Sequence, residues 1–369
     1  MRKPRVLFLG RLYAGHRTRF LNLQAHTQGD ARIKPVYRQV TGWQEGGLIE
    51  SVSVLPASLR GRLRAVVQSA PLAAFPRPDV IWTGVSEVAL PFLWAQAGPL
   101  QRPMILDLDS TLDQLEVWAE DYFHRPGKQG LRLQLARAME RLLWRKVSVF
   151  TPWSQWAANA LRRAGVSEES IEVCPPGVDL EAWQPNPQLR GPGSERLRLL
   201  FVGADFERKG GKLLLDVFSE RFSKDCELHI VTRDEVETRP HVYVHRAEPN
   251  TPVLKDLFAQ ADLFVLPTRA ECFGIAAVEA MASGLPVVMG NVGGAEDIVT
   301  QGETGWLIEP NREGLVGALT QATSNRAMLK GMGLNARAAA EAKFDGQRND
   351  QHILDVILEL GARSRMERR

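Results

Sequence analysis

Only three cysteines occur in 369 residues, and Cys174, Cys226 and Cys272 lie far apart with no His or Cys neighbour at metal-ligand spacing. That excludes a disulfide framework and a zinc site from the expectations; no metal ion is anticipated, and a reducing compartment fits. Long apolar runs are missing too. The longest, such as Leu263–Pro267 and Gly284–Gly290, fall well short of the ~20 residues that a membrane-spanning helix needs. Met1-Arg2-Lys3-Pro4-Arg5 leads straight into Val6-Leu7-Phe8-Leu9-Gly10, too short an apolar core for a secretion signal, so a cytoplasmic chain is expected. No short-period repeat is present. Net charge is only +3, but residues 1–180 hold 23 Lys+Arg against 16 Asp+Glu, whereas residues 181–369 hold 23 against 27. A basic first half suits an anionic partner or surface, although ordinary solvated charge accounts for it equally well.

What is present is enough apolar residue, 44% of the chain, to fill two cores. Short apolar runs alternate with longer segments of helical period, the pattern of parallel sheets covered by helices, so the class is α/β. Strands are expected at Val6–Leu9, Val80–Trp82, Met104–Leu106 and Val147–Phe150, then at Leu199–Val202, Glu227–Val231, Leu263–Leu266 and Pro286–Met289. Helices are expected near Thr18–Gln28, Ser86–Gln96, Gly130–Arg145, Ser154–Arg163, Lys212–Arg221, Pro252–Gln260, Ile275–Ala282, Arg312–Thr323 and Arg326–Ala342. Between the two sets, Gln184–Ser194 carries three prolines and two glycines and reads as a linker. Each half opens with a buried strand running into glycine, Phe8-Leu9-Gly10 and Phe201-Val202-Gly203. Two Rossmann-like domains, residues 1–184 and 195–344, are therefore expected to face each other across a cleft at the carboxyl ends of their strands.

The strongest chemical signal is Ala270-Glu271-Cys272-Phe273-Gly274-Ile275-Ala276-Ala277-Val278-Glu279-Ala280-Met281-Ala282-Ser283-Gly284. Glycine before a helix lets backbone N–H groups approach an anion, and the helix end adds about half a positive charge there. Phe273, Gly274 and Ile275 can thus face a phosphate or a sugar hydroxyl. Carboxylates accept paired hydrogen bonds from vicinal hydroxyls, so Glu271 and Glu279 suit the two ends of one sugar-bearing ligand. A solvent-facing Glu279 is the plainer alternative, but its apolar neighbours make solvation poor.

Here the chain resembles the retaining glycosyltransferases of family four, with the GT-B fold, whose signature is two glutamates separated by seven residues, as Glu271 and Glu279 are. The resemblance implies that Glu279 holds the ribose of a nucleotide-diphosphate sugar, and that Glu271 and the Phe273–Ile275 backbone contact the transferred sugar. It implies a metal-independent hexosyltransferase without a cofactor, in which the diphosphate leaves from the face that the acceptor hydroxyl attacks. It also implies a C-terminal helix, residues 345–362, packing back on the first domain. A nucleotide-sugar epimerase of the same fold and a non-catalytic sugar-nucleotide binding protein are the rival readings.

Gly203-Ala204-Asp205-Phe206-Glu207-Arg208-Lys209-Gly210-Gly211 forms a second strand-to-helix loop. Arg208 and Lys209 offer a planar fork and a point charge to a leaving diphosphate. Related enzymes often carry arginine directly after the first glycine; Ala204 stands there, leaving Arg208 or Arg11 to compensate. Asn291-Val292-Gly293-Gly294 leads a third segment, continuing to Gly302–Pro310; it reads as turn chemistry into another strand and resembles the family's segment that closes the donor site, with Gly294 as a contact. On the acceptor side, the loop Gly10–Arg19 offers Gly15 and His16, and the end of Met104–Leu106 offers Asp107 and Asp109. Alternation points both aspartates towards the cleft, with a helix cap the other role for Asp109. The histidine that relatives place in this region is missing.

Two basic stretches, Ser58–Val67 and Leu131–Lys146, set cations beside apolar residues. An ordinary amphipathic surface helix is the plainer account; peripheral contact with the inner face of a membrane, beside a lipid-linked acceptor, is the other. No nucleic-acid module surrounds them, so the expected partners are a nucleotide sugar and a carbohydrate, lipid-linked or small-molecule acceptor.

Overall fold

The computed structural model describes residues 2–11, 14–41, 47–49, 51–52, 60, 63–64, 67–68, 78–84, 102–123, 126–186 and 196–366. The expected helix Ser86–Gln96, most of Ser58–Val67 and positions 187–194 of the linker lie outside them.

In the first domain the described strands are β1 (Arg5–Arg11), β2 (Lys34–Val40), β3 (Val80–Thr83), β4 (Met104–Leu108) and β5 (Val149–Pro152), all parallel in the order β2-β1-β3-β4-β5. Its described helices are α1 (Ala14–Thr27), α2 (Leu112–Val117), α3 (Ala119–Phe123), α4 (Gly130–Trp144) and α5 (Gln155–Arg163). The second domain contains β6 (Leu197–Val202), β7 (Cys226–Val231), β8 (Val242–His245), β9 (Leu263–Leu266), β10 (Val287–Gly290) and β11 (Gly305–Ile308), again all parallel, in the order β11-β10-β9-β6-β7-β8. Helices α6 (Gly211–Val217), α7 (Pro252–Gln260), α8 (Ile275–Ala282), α9 (Ala295–Ile298), α10 (Arg312–Ser324) and α11 (Arg326–Lys343) accompany it.

Central strands form where the sequence is apolar on both faces, because helices cover both sides of a parallel sheet. β3, β4, β9 and β10 are buried at every position. The two strands that the apolar pattern missed, β2 and β8, sit at sheet edges and keep polar or exposed positions. In each sheet the chain reverses direction of growth once, between β1 and β3 and between β6 and β9. The loops leaving those four strands define a crevice in each sheet.

The last helix, α12 (Gly346–Met366), returns to the first domain and lies on α1. Ile353, Leu354 and Ile357 join Val6, Phe8 and Phe20 in one apolar cluster. Among them Asp350, with its side chain 1% exposed, takes Arg19 Nη1 at 2.5 Å and His26 Nδ1 at 2.7 Å. Arg19, 2% exposed, reaches Asp107 on its other arm at 3.5 Å. Removing one member of a buried charge group strands its partners away from water. Asp350→Ala should therefore lower stability by about 3–5 kcal/mol in urea unfolding, with loss of the α1–α12 contact detectable as faster amide exchange in both helices.

Candidate active site

Two loops meet at the switch point of the second sheet. The first, after β6, turns through Asp205, whose carboxylate accepts Arg208 N at 3.1 Å and Arg208 Nε at 3.0 Å. Arg208 then donates through Nη1 to the carbonyl of Ala270 at 2.7 Å, in the loop after β9. Next to it Lys209 Nζ donates to Glu271 Oε2 at 2.5 Å, the two side chains being 17% and 12% exposed. Residues 62 apart in the chain are thus joined because their strands are neighbours in the sheet.

The approach to α8 needs glycine at two positions. Gly274 precedes the helix at φ +101°, a left-handed backbone that a side chain disfavours. Gly293 has φ +60°, and a Cβ there would lie 1.9 Å from the carbonyl oxygen of Glu271. This close stacking lays the Gly-Gly turn on the loop of Glu271.

Glu279 lies in the second turn of α8 and is 6% exposed. Its carboxyl has no hydrogen-bond partner among the described residues. Burial raises its pKa to about 8, against the opposing attraction of Lys209 and Lys255. A carboxyl that faces cations and meets no hydrogen-bond donor of the described residues keeps its acceptor positions open to a ligand.

The wall from the first domain is built on a different footing. His16, near the start of α1, sets Nε2 3.3 Å from Asp109 Oδ2, the side chains being 22% and 24% exposed, and its ring lies 4.8 Å from that of Trp153. Burial works against ionisation of Asp109, but His16 and Ser110 outweigh it and hold the carboxyl below the usual range. Asp107 departs from the expectation that alternation would aim it at the cleft. It is 1% exposed and accepts from Thr151 Oγ1 at 2.9 Å, Trp153 Nε1 at 2.6 Å and Arg19. The physical reason is the buried cation Arg19 behind β4, which needs a counter-charge inside the core. Asp107 thereby orients Trp153.

Several contacts cross between the walls. Trp153 meets Phe273 edge-on at 6.1 Å, a Cβ on Gly15 would meet Ile275 Cδ1 at 3.3 Å, and one on Gly294 would meet Ser154 at 3.0 Å. Tyr122 of α3 places its ring 4.3 Å from the Arg208 guanidinium and its hydroxyl 3.5 Å from Cys272 Sγ. Asp297 of α9 accepts from the backbone N–H groups of Gln155 and Trp156, at 3.0 and 3.4 Å, at the start of α5. Tyr122 and Trp153 carry no motif in the sequence, the only signal for Trp153 being its place just past a strand end; Asp297 lies in the segment that Gly293-Gly294 opens, without any mark of its contact with α5. Gly203 closes β6 beneath the Lys209 stem. Among the described residues no group of three His, Cys, Asp or Glu is placed to hold a metal ion.

The fold agrees with that of known proteins. Residues 196–325 match the family described as Glycosyl transferases group 1, and residues 9–177 match the Glycosyl transferase 4-like domain. The chain belongs to the group 1 glycosyltransferase family, with the GT-B fold of two Rossmann-like domains. Among relatives, D-inositol 3-phosphate glycosyltransferase of Paenarthrobacter aurescens (strain TC1) is 32% identical over 166 residues, covering 39% of this chain and 41% of the relative. MMP alpha-(1->4)-mannosyltransferase of Mycolicibacterium hassiacum is 29% identical over 254 residues, covering 63% and 59%. The matched stretch spans about half the length of these curated relatives. Of solved structures, sucrose-phosphate synthase from Thermosynechococcus elongatus superposes with TM-score 0.77 at 18% identity, over 98% of this chain and 100% of that one. HepE of Anabaena, solved with UDP and glucose, gives 0.71 at 17% identity, over 96% and 99%. At these identities the two structures establish the fold.

A carboxyl whose pKa in the folded chain is raised from 4.5 to about 8 costs stability progressively as pH climbs between those values, since the unfolded chain ionises freely. Glu279→Gln removes that cost. The variant should gain on the parent as pH rises, by up to about 4 kcal/mol near pH 8 and by little near pH 4.5, in urea unfolding at the two pH values without ligand.

Proposed function

We propose that the chain transfers a hexosyl group from a nucleoside-diphosphate sugar to an acceptor hydroxyl, with retention of configuration and without a metal ion. The observation that carries this reading is the Lys209–Glu271 pair at the switch point, with Arg208 beside it and the partnerless carboxyl of Glu279 in the next helix. The names of the relatives as glycosyltransferases and the UDP and glucose in HepE support it.

In this scheme the diphosphate takes over the Lys209 ammonium, and Arg208 adds a second cation. These two provide the charge that the departing oxygen requires. Released from Lys209, Glu271 accepts from hydroxyls of the sugar, while Glu279 accepts from the ribose. Ribose hydroxyls stabilise the ionised carboxyl, so binding below pH 8 expels a proton from Glu279. The acceptor oxygen forms its bond to the anomeric carbon as the carbon–phosphate oxygen bond breaks on the same face. The acceptor proton passes to the leaving diphosphate, so neither glutamate acts as a nucleophile. His16, held by Asp109 and Trp153, stands on the opposite wall to orient the acceptor.

A panel of nucleotide sugars assayed with soluble acceptors, with the product anomer read by proton NMR, tests the scheme. Lys209→Ala should cut kcat by about 100-fold or more, the usual loss for one charge-stabilising donor, whereas Glu279→Ala should act mainly on KM for the donor. A new sugar nucleotide formed without acceptor would identify an epimerase instead. Donor binding without transfer to any acceptor would identify a binding protein.

A further inference from the structure

The helix α4 is turned inside out relative to an ordinary surface helix. Leu131, Leu135, Met139 and Leu142 are 70%, 57%, 51% and 54% exposed. At 100° per residue they fall within one quarter of the helix circumference, a single outward stripe along about 17 Å of axis. The inward side is fixed by other contacts. Leu143 and Trp144 are buried, Arg137 Nε donates to Asp113 at 2.6 Å and Glu140 accepts Leu112 N at 3.0 Å, which pins α4 to α2. Val117, at the end of α2, is itself 79% exposed.

Charge flanks the stripe. Arg132 lies on one side of it and Arg141 and Arg145 on the other, all three exposed. None of them has an ion pair among the described residues. The single acid of the helix, Glu140, points inward, where burial raises its pKa to about 7.

We propose that this face of α4 is a docking surface for an anionic lipid bilayer. Apolar side chains enter the acyl boundary while the rim arginines meet lipid phosphates, the arrangement by which an in-plane amphipathic helix binds. The arginines decide against a second copy of the chain, since a two-fold contact through this stripe would bring the same unpaired cations together without an acid between them. The helix to which α4 is pinned, α2, also contacts α3, and α3 carries Tyr122, which touches Arg208. Docking through α4 would thus set the first-domain wall of the cleft on the lipid surface, within reach of an acceptor embedded in the bilayer.

Sedimentation of the full chain with vesicles tests the proposal independently of transfer activity. The chain should pellet with phosphatidylcholine vesicles containing about a third phosphatidylglycerol and stay in solution with phosphatidylcholine alone. L135S/M139S/L142S should lower the partition constant by about tenfold or more. R132Q/R141Q/R145Q should lower it similarly and remove its sensitivity to salt. Because all six positions are exposed, circular dichroism and transfer to a water-soluble acceptor should be unchanged in both variants. Equal binding to neutral vesicles, or parental binding by either variant, overturns the proposal. So does a dimer in sedimentation equilibrium that the apolar variant dissolves.

Discussion

The ion pair between Lys209 and Glu271 is the contact on which the architecture of the site turns. Each residue stands on the loop that follows one of two adjacent parallel strands, β6 and β9, on opposite sides of the point where the sheet changes its direction of growth. Such a pair is costly to keep partly out of water, and its attraction only roughly repays the desolvation. It holds because the same loops are bound a second time, by Arg208 to the Ala270 carbonyl, and because the Gly293–Gly294 turn lies against the backbone of residues 271–272.

The other wall is organised around an interior charge. Arg19 is buried beneath the first sheet, and Asp107 and Asp350 neutralise it from two directions. One of these acids comes from the body of the first domain and the other from the last helix of the chain, so closing the charge also ties the C-terminus to the N-terminal core. The same Asp107 holds the Trp153 indole, and Trp153 in turn faces both His16 and Phe273. The chain crosses between the domains at two places that lie side by side: Val178 N donates to the Phe344 carbonyl and Gly346 N to that of Val178, each at 2.9 Å. Asp297 at α5 and Tyr122 over Arg208 join the two walls on the far side of the cleft loops.

Legibility in the sequence followed burial. β3, β4, β9 and β10 are covered on both faces and appear as plain apolar runs, whereas the edge strands β2 and β8 face solvent and carry Lys34, Arg38 and His245 like any loop. The paired glutamates and the Arg208-Lys209 loop were readable because each lies on a short segment whose local conformation is set by its own glycines. Asp107 and Asp109 share a face, yet only Asp109 stands beside His16; alternation says which residues lie together, not that Arg19, Thr151 and Trp153 close over one of them inside the core. For Leu131–Lys146 the sequence leaves two readings open, an ordinary surface helix or a membrane-facing one, since helical period marks an apolar side without saying whether it meets the core or the solvent.

From the sequence alone came the α/β class, the division into two domains and the grouping of two acidic and two basic side chains in the second of them. These depend on composition, period and spacing within about twenty residues, the range over which backbone geometry is locally determined. Tertiary structure decided that Lys209 reaches Glu271, that Asp107 serves Arg19 and Trp153, that Tyr122 crosses to Arg208 and that Leu135 faces outward. Each of those depends on which strands become neighbours and which helix face finds a core, outcomes settled by the packing of the whole chain.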